Sequence, residues 1–330
     1  MNFSRKARIG HSGTVLALDI STEGVLSSVG EDGRCLLWTP EGQIIQDLNV
    51  NKEHGSSPDD CPLNSVTFNP SESNNFYISS GTQVLAYDMR KCSSCIVNFD
   101  FNVDEINQLC VNDTGQYLAA CDDHGEIKVI DIQESRLFKT LARHHDNICS
   151  SVQFRHKKSW QLLSAGLDCH IINWDFSSGK PQQLFNINDC VMKNSEENQT
   201  LFINPPFVHS LSVRKDGKTF ATGLGNGEIG FFKFQGKKFE CTNKFKAHNS
   251  EVSQVYFFSP DTTACFLVSA GNDGKINIWK ETQTEQKMNY ELCQELVHCS
   301  KINWIACSSF KTNSIFVADQ SSIVHVYEQQ

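Results

Sequence analysis

Four groupings of residues could do chemistry. Cys92-Ser93-Ser94-Cys95 is the one close pair among 14 cysteines, and such a pair can hold zinc or exchange electrons. Either role needs a second pair at matching spacing or a strand–helix–strand setting, and the chain offers neither. Tyr87-Asp88-Met89-Arg90 puts a guanidinium two residues past a carboxylate. An arginine so placed can present a flat fork of donors to a carboxylate or a carbonyl cluster; the plainer reading is a solvated turn closed by Asp88. Asp104, Glu105, Asp122 and Asp123, with Glu31, are acidic and could receive a basic peptide such as a histone tail. An ordinary solvated acidic surface is the plainer reading there. Arg155-His156-Lys157-Lys158 and Lys237-Lys238 are short basic groups in expected hairpin turns, without the aromatic interleaving that single-stranded nucleic acid requires.

The elements that must position these side chains come from a repeat. Asp32-Gly33-Arg34-Cys35-Leu36-Leu37-Trp38 matches Asp273-Gly274-Lys275-Ile276-Asn277-Ile278-Trp279 and Asp168-Cys169-His170-Ile171-Ile172-Asn173-Trp174. Each is a tight turn followed by a strand ending in an aromatic residue, and weaker copies end at Tyr87, Ile130, Phe232 and Tyr327. The seven end points lie 43 to 58 residues apart, a period that suits propeller blades and not helical repeats. Upstream of the aromatics, blocks beginning at His11, His144, His248 and His298 lead into a strand, a turn such as Lys215-Asp216-Gly217, and a second strand of small and apolar residues. Strand, turn, strand, turn, strand at this period is an antiparallel meander.

Composition agrees with a packed chain. The 330 residues are 39% hydrophobic and 20% charged, with a net charge of −9. That balance disfavours nucleic acid and anionic membrane as partners, and no apolar run reaches the ~20 residues a membrane helix needs. Phe3-Ser4-Arg5-Lys6 has no apolar stretch behind it, so a secretory signal is not expected. The scattered cysteines read as reduced, small apolar residues in cytoplasm or nucleus.

The repeated blocks resemble the WD-repeat family over nearly the whole chain, although Trp174-Asp175 is the sole literal WD dipeptide among the repeat ends. The resemblance implies an all-β chain, a single seven-bladed β-propeller spanning residues 1–330, with four strands per blade. It further implies buried hydrogen-bond sets in blades 1, 4 and 6: His11, Ser28, Asp32 and Trp38; His144, Ser164, Asp168 and Trp174; His248, Ser269, Asp273 and Trp279. In each, Asp would accept from His, His would bond Ser, and Ser would bond the indole N–H. Histidine, serine and aspartate are also the ingredients of an acyl-transfer triad. A set repeated in three blades, its serine in the middle of an apolar strand, is structural instead. Blades 2, 3 and 5, with Gly81, His124 and Asn226 at the aspartate position, are expected to rely on packing alone.

The chain ends three residues after Tyr327, so the last blade lacks an outer strand of its own. Phe3–Ile9 is expected to supply it and remove the exposed edge. Polar, Pro/Asn/Ser/Glu-rich stretches near 51–62 and 189–206 read as surface loops.

Tyr87-Asp88-Met89-Arg90 is similar to the W-D-x-R box of WD-repeat proteins that dock on the cullin-4 ubiquitin ligase adaptor. In that group the arginine projects from the bottom rim; carried over, Arg90 would dock and Asp88 would fix its turn. The box is not repeated, since Ile130-Asp131-Ile132-Gln133 and Trp174-Asp175-Phe176-Ser177 put Gln133 and Ser177 in the arginine position. The expected activity is therefore non-catalytic: a protein-interaction scaffold, monomeric outside its complex, recruiting a client to the ligase. The alternative is a reader of basic peptide tails on an acidic top face. No catalytic, metal or cofactor set can be assembled from the loops.

Overall fold

The computed structural model describes residues 3–50, 61–92, 94–142, 144–190, 204–259, 265–284 and 287–330. Of the two expected loops, residues 51–60 and 191–203 lie outside these. The described residues form seven four-stranded antiparallel sheets and one 3-10 turn, Ile187–Asp189, capped by the Asn186 side chain. The chain is a seven-bladed β-propeller.

The chain resolves into two compact units, residues 1–142 with 302–330 and residues 143–301. The repeat marks no boundary at either junction. The first unit holds blades 1, 2, 3 and 7, and the second holds blades 4, 5 and 6. In blade 1, strand a is Val15–Ile20, b Leu26–Gly30, c Arg34–Trp38 and d Ile44–Asn49. Strands b and c are buried along almost their whole length, while d is mostly exposed. A strand covered on both faces reads as a continuous apolar run, and the outer strand reads as polar and apolar mixed. The same gradient recurs in blade 4, where Gln161–Gly166 is fully buried and Lys180–Asn186 is not.

A register shift falls at the third-strand aromatic position in five blades, between Leu37 and Trp38, Val129 and Ile130, Asn173 and Trp174, Phe231 and Phe232, and Ile278 and Trp279. A bulge there locally increases twist and re-aims the side chain. Cores lie between neighbouring blades: Leu48, Val50 and Leu85 pack together from blades 1 and 2, and Leu163, Phe220 and Phe232 from blades 4 and 5.

Phe3–Ile9 pairs antiparallel with Ile323–Gln329, from Phe3 opposite Gln329 to Ile9 opposite Ile323, and makes the outer strand of blade 7. Arg8 locks it from the side: it is buried, donates to the carbonyls of Thr39 and Pro40 at 3.2 and 2.9 Å, and lies over the Phe316 ring at 5.0 Å.

One expectation about the cysteines is corrected. Cys190 and Cys241 form a disulfide, their Cα atoms 5.9 Å apart, within the range a bridge requires. They are 51 residues apart in sequence, so only the packing of the 3-10 turn against the outer strand of blade 5 could bring them together. Of the other 12 cysteines, 6 are buried.

Candidate functional site

The histidine–serine–aspartate sets are complete. His11 Nδ1 lies 3.0 Å from Asp32 Oδ1, its Nε2 lies 2.8 Å from Ser28 Oγ, and Trp38 Nε1–H donates to the same hydroxyl oxygen at 2.8 Å. Blade 6 repeats this with His248 to Asp273 at 3.0 Å, His248 to Ser269 at 2.8 Å and Trp279 to Ser269 at 2.9 Å. In blade 4 the histidine is His145, not His144 as expected: it lies 2.9 Å from Asp168 Oδ2 and 2.8 Å from Ser164 Oγ, where Trp174 also donates. His144 instead stands edge-on to Trp174, ring centroids 5.2 Å apart.

The reason is register. The residue after the bonding histidine donates its backbone N–H to the same aspartate: Ser12 to Asp32, Asn249 to Asp273 and Asp146 to Asp168. Counting four residues back from the first residue of strand a selects His11, His145 and His248.

Each serine hydroxyl is consumed between an imidazole and an indole, and the three histidine side chains are fully buried. A hydroxyl so placed meets no substrate; the sets clamp loop to strand. Glycine makes room for them. A Cβ at Gly271 would fall 2.6 Å from His248 Nδ1 and 2.8 Å from Asp273 Oδ1. Burial pushes the Asp32 carboxyl up, but hydrogen bonds from His11 and from the Ser12 and Arg34 N–H groups outweigh it and hold it at about 2. Asp168 and Asp273 are lowered in the same way.

Blades without the set do not all rely on packing alone. In blade 3 the glycine position is taken by Asp122. Asp122 is fully buried, accepts from Asn102 Nδ2 at 2.9 Å and from the Glu126 N–H at 2.9 Å, and burial raises its pKa, partly offset by Asn102 and Glu126. This corrects the expected acidic surface, from which Asp122 is absent. Asp104 and Glu31 are exposed. Glu105 accepts from Asn64 Nδ2 at 2.6 Å and Asp123 from Asn107 Nδ2 at 2.8 Å.

Asp88 ends strand c of blade 2, Gln83–Asp88. Its Oδ1 accepts from the Arg90 backbone N–H at 2.9 Å and from Arg90 Nε at 3.0 Å, and its Oδ2 from Nη2 at 2.6 Å. The carboxyl is thereby lowered and the guanidinium raised. The Arg90 side chain is nevertheless 70% exposed, and its Nη1 makes no bond among the described residues. The thiols of Cys92 and Cys95 lie 3.2 and 3.0 Å from the carbonyls of Asp88 and Val97.

Comparison with known proteins agrees with this geometry. The family described as WD domain, G-beta repeat matches residues 93–131 and 239–280. The WD repeat-containing protein 53 homolog of Dictyostelium discoideum is 30% identical across 95% of this chain and 91% of its own length. The chain belongs to the WD-repeat family. A p21-activated protein kinase-interacting protein 1-like protein of Danio rerio is 24% identical over 65% of this chain and 63% of its own. The crystal structure of the WD40 beta propeller domain of Doa1 shares the fold, with TM-score 0.74 at 18% identity, covering 98% of this chain and 96% of that one.

One buried feature escaped the sequence. Arg155 reads as part of a basic turn, but it is buried. Its Nε donates to Gly217 O at 2.7 Å, its Nη1 to Gln161 Oε1 at 2.5 Å and to Gly236 O at 2.9 Å, and its guanidinium lies 3.5 Å from the centroid of Phe234. Burial lowers its pKa to about 10. Lys157, Lys158, Lys237 and Lys238 are exposed. No local signal distinguishes Arg155 from these, because its partners come from turns 62 and 81 residues away.

Proposed function

We propose that this WD-repeat scaffold is a substrate-recruiting receptor of a cullin-4 RING ubiquitin ligase, working in cytoplasm or nucleus, with Arg90 docking the ligase adaptor and another surface holding the client. A rigid propeller presenting loops suits protein–protein interaction, and the family membership supports that much. The finer reading is carried by one observation: an exposed arginine on a turn set by Asp88, at the end of a third strand. The Asp88 carboxylate orients the guanidinium without burying it, so its remaining N–H groups can meet a second carboxylate or carbonyl. The reader of basic tails draws less support, since Asp122 is buried and Glu105 and Asp123 each serve a neighbouring amide.

The test is affinity purification from cells with mass spectrometry, comparing wild type with Arg90→Ala at matched melting temperature. Adaptor recovered with wild type and lost from the variant supports the proposal. Adaptor absent from wild type, or retained by Arg90→Ala, overturns it.

A further inference from the structure

Blade 2 departs from the other blades at its outer edge. Its outer strand, Val97–Phe99, has three residues. Its c–d connection, residues 89–96, has eight, against two to five in blades 1, 3, 4 and 5. Binding residues sit on loops more often than on the strands that carry them. This one reaches blade 1: Cys92 is buried in the core shared by the two blades, with Leu48 and Val50.

Between the loop and the outer strand of blade 1 lies a groove of about 420 Å³, the size of a site for a few side chains. Leu48 and Cys92 line it and are themselves buried. Gln46 and Asn49 line it from strand Ile44–Asn49, whose outer edge pairs with no strand among the described residues. Arg90 and Lys91 line it from the loop, and both are exposed.

The charges in the groove are unevenly spent. Its one lining carboxylate, Asp47, is bound by Arg34 through Nε at 3.0 Å and through Nη2. Lys91 has no side-chain partner among the described residues, and Arg90 keeps Nη1 unused. With Asp88 holding Nε and Nη2 of Arg90 and Arg34 holding Asp47, the cationic donors left open in the groove are Arg90 Nη1 and the Lys91 ammonium, on a chain whose net charge is −9. Open cationic donors on an acidic molecule favour acidic ligands over basic ones. The strand begins with exposed Ile44 and Ile45, and the loop ends with exposed Ile96, so a ligand with aliphatic residues beside its carboxylates fits best.

We propose that this groove binds an acidic, extended segment of a partner protein, its carboxylates on Arg90 and Lys91 and its chain running beside the blade 1 outer strand. The proposal shares Arg90 with the docking reading but goes beyond it, since it fixes the chemistry of the occupant and holds for acidic partners other than the adaptor.

The experiment is fluorescence anisotropy with a short labelled peptide of alternating glutamate and leucine, and with its lysine–leucine and glutamine–leucine counterparts. The glutamate peptide should bind best and weaken with salt. Lys91→Glu should lower its affinity about tenfold, and Asp47→Asn, which removes the one carboxylate lining the groove, should raise it about threefold. Binding of the lysine peptide as tight as that of the glutamate peptide, indifference to Lys91→Glu, or no peptide binding at all would overturn the proposal. Adaptor capture measured on the same proteins keeps the two readings apart. Peptide binding sensitive to Lys91→Glu in a protein that captures no adaptor sinks the docking reading alone. Adaptor capture lost in Arg90→Ala, with peptide binding indifferent to Lys91→Glu, sinks the groove alone.

Discussion

His145 Nδ1 lies 2.9 Å from Asp168 Oδ2, while its sequence neighbour His144 faces the edge of Trp174. Two adjacent imidazoles thus have different work. Replacing His145 leaves the Ser164 hydroxyl and the Asp168 carboxylate short of partners. His145→Ala should cost about 1–3 kcal/mol of unfolding free energy. His144→Ala forfeits a ring contact and should cost less than about 1 kcal/mol. Urea denaturation of the two variants decides it, and equal losses would mean the assignment is wrong.

The acid limb of the stability profile should carry Asp32. Its pKa is 3.8 as an ordinary carboxyl and about 2 in the fold, so the unfolded chain binds its proton more readily. The stabilisation is fully present above about pH 4 and is lost as pH falls toward 2. The contribution should be about 1–2 kcal/mol. Asp168 and Asp273 are lowered too and act in the same direction. Thermal unfolding between pH 5 and pH 2 should show a shallower decline for Asp32→Asn than for wild type.

Arg155 should be a stability residue without a role in binding. Arg155→Ala strands the carbonyl of buried Gly217, removes a donor from that of Gly236 and takes the cation from the Phe234 face; about 2–4 kcal/mol should be lost. Lysine can reach one acceptor but cannot lie flat on the ring while donating to several, so Arg155→Lys should recover less than half. Chemical denaturation of the three proteins measures this, and full recovery by lysine would contradict the geometric argument.

Removal of residues 1–9 should uncover the edge of Ile323–Gln329 and the ring of Phe316 beneath Arg8. An unpaired strand edge recruits other strands. Size-exclusion chromatography should show larger species and a lower soluble yield; an unchanged monomer peak would argue that the strand is dispensable.

Much of this molecule is written locally. Asp-Gly turns precede the third strands of blades 1 and 6, and Gly33 and Gly274 take φ of 64° and 71°, the left-handed region that glycine enters without strain. In blade 4 Cys169 adopts φ 63° at the same place, and the repeat remains legible because the aspartate and the closing tryptophan survive. Strand, turn and period depend on residues next to one another, so the sequence alone determined the blades, the serine–aspartate–tryptophan positions and the exposed turn at Asp88 and Arg90.

The tertiary structure decided the choice among partners far apart in the chain. It selected His145 over His144, because the distance to strand a sets which imidazole meets Asp168. It withdrew Asp122 from the surface, because Asn102, 20 residues earlier, needed an acceptor in a buried place. It put Arg155 under Phe234 and joined Cys190 to Cys241 across 51 residues. A charged, polar or thiol side chain looks the same in sequence whether it meets water or a partner. Its burial is settled only when another element arrives to desolvate it and supply the missing bond.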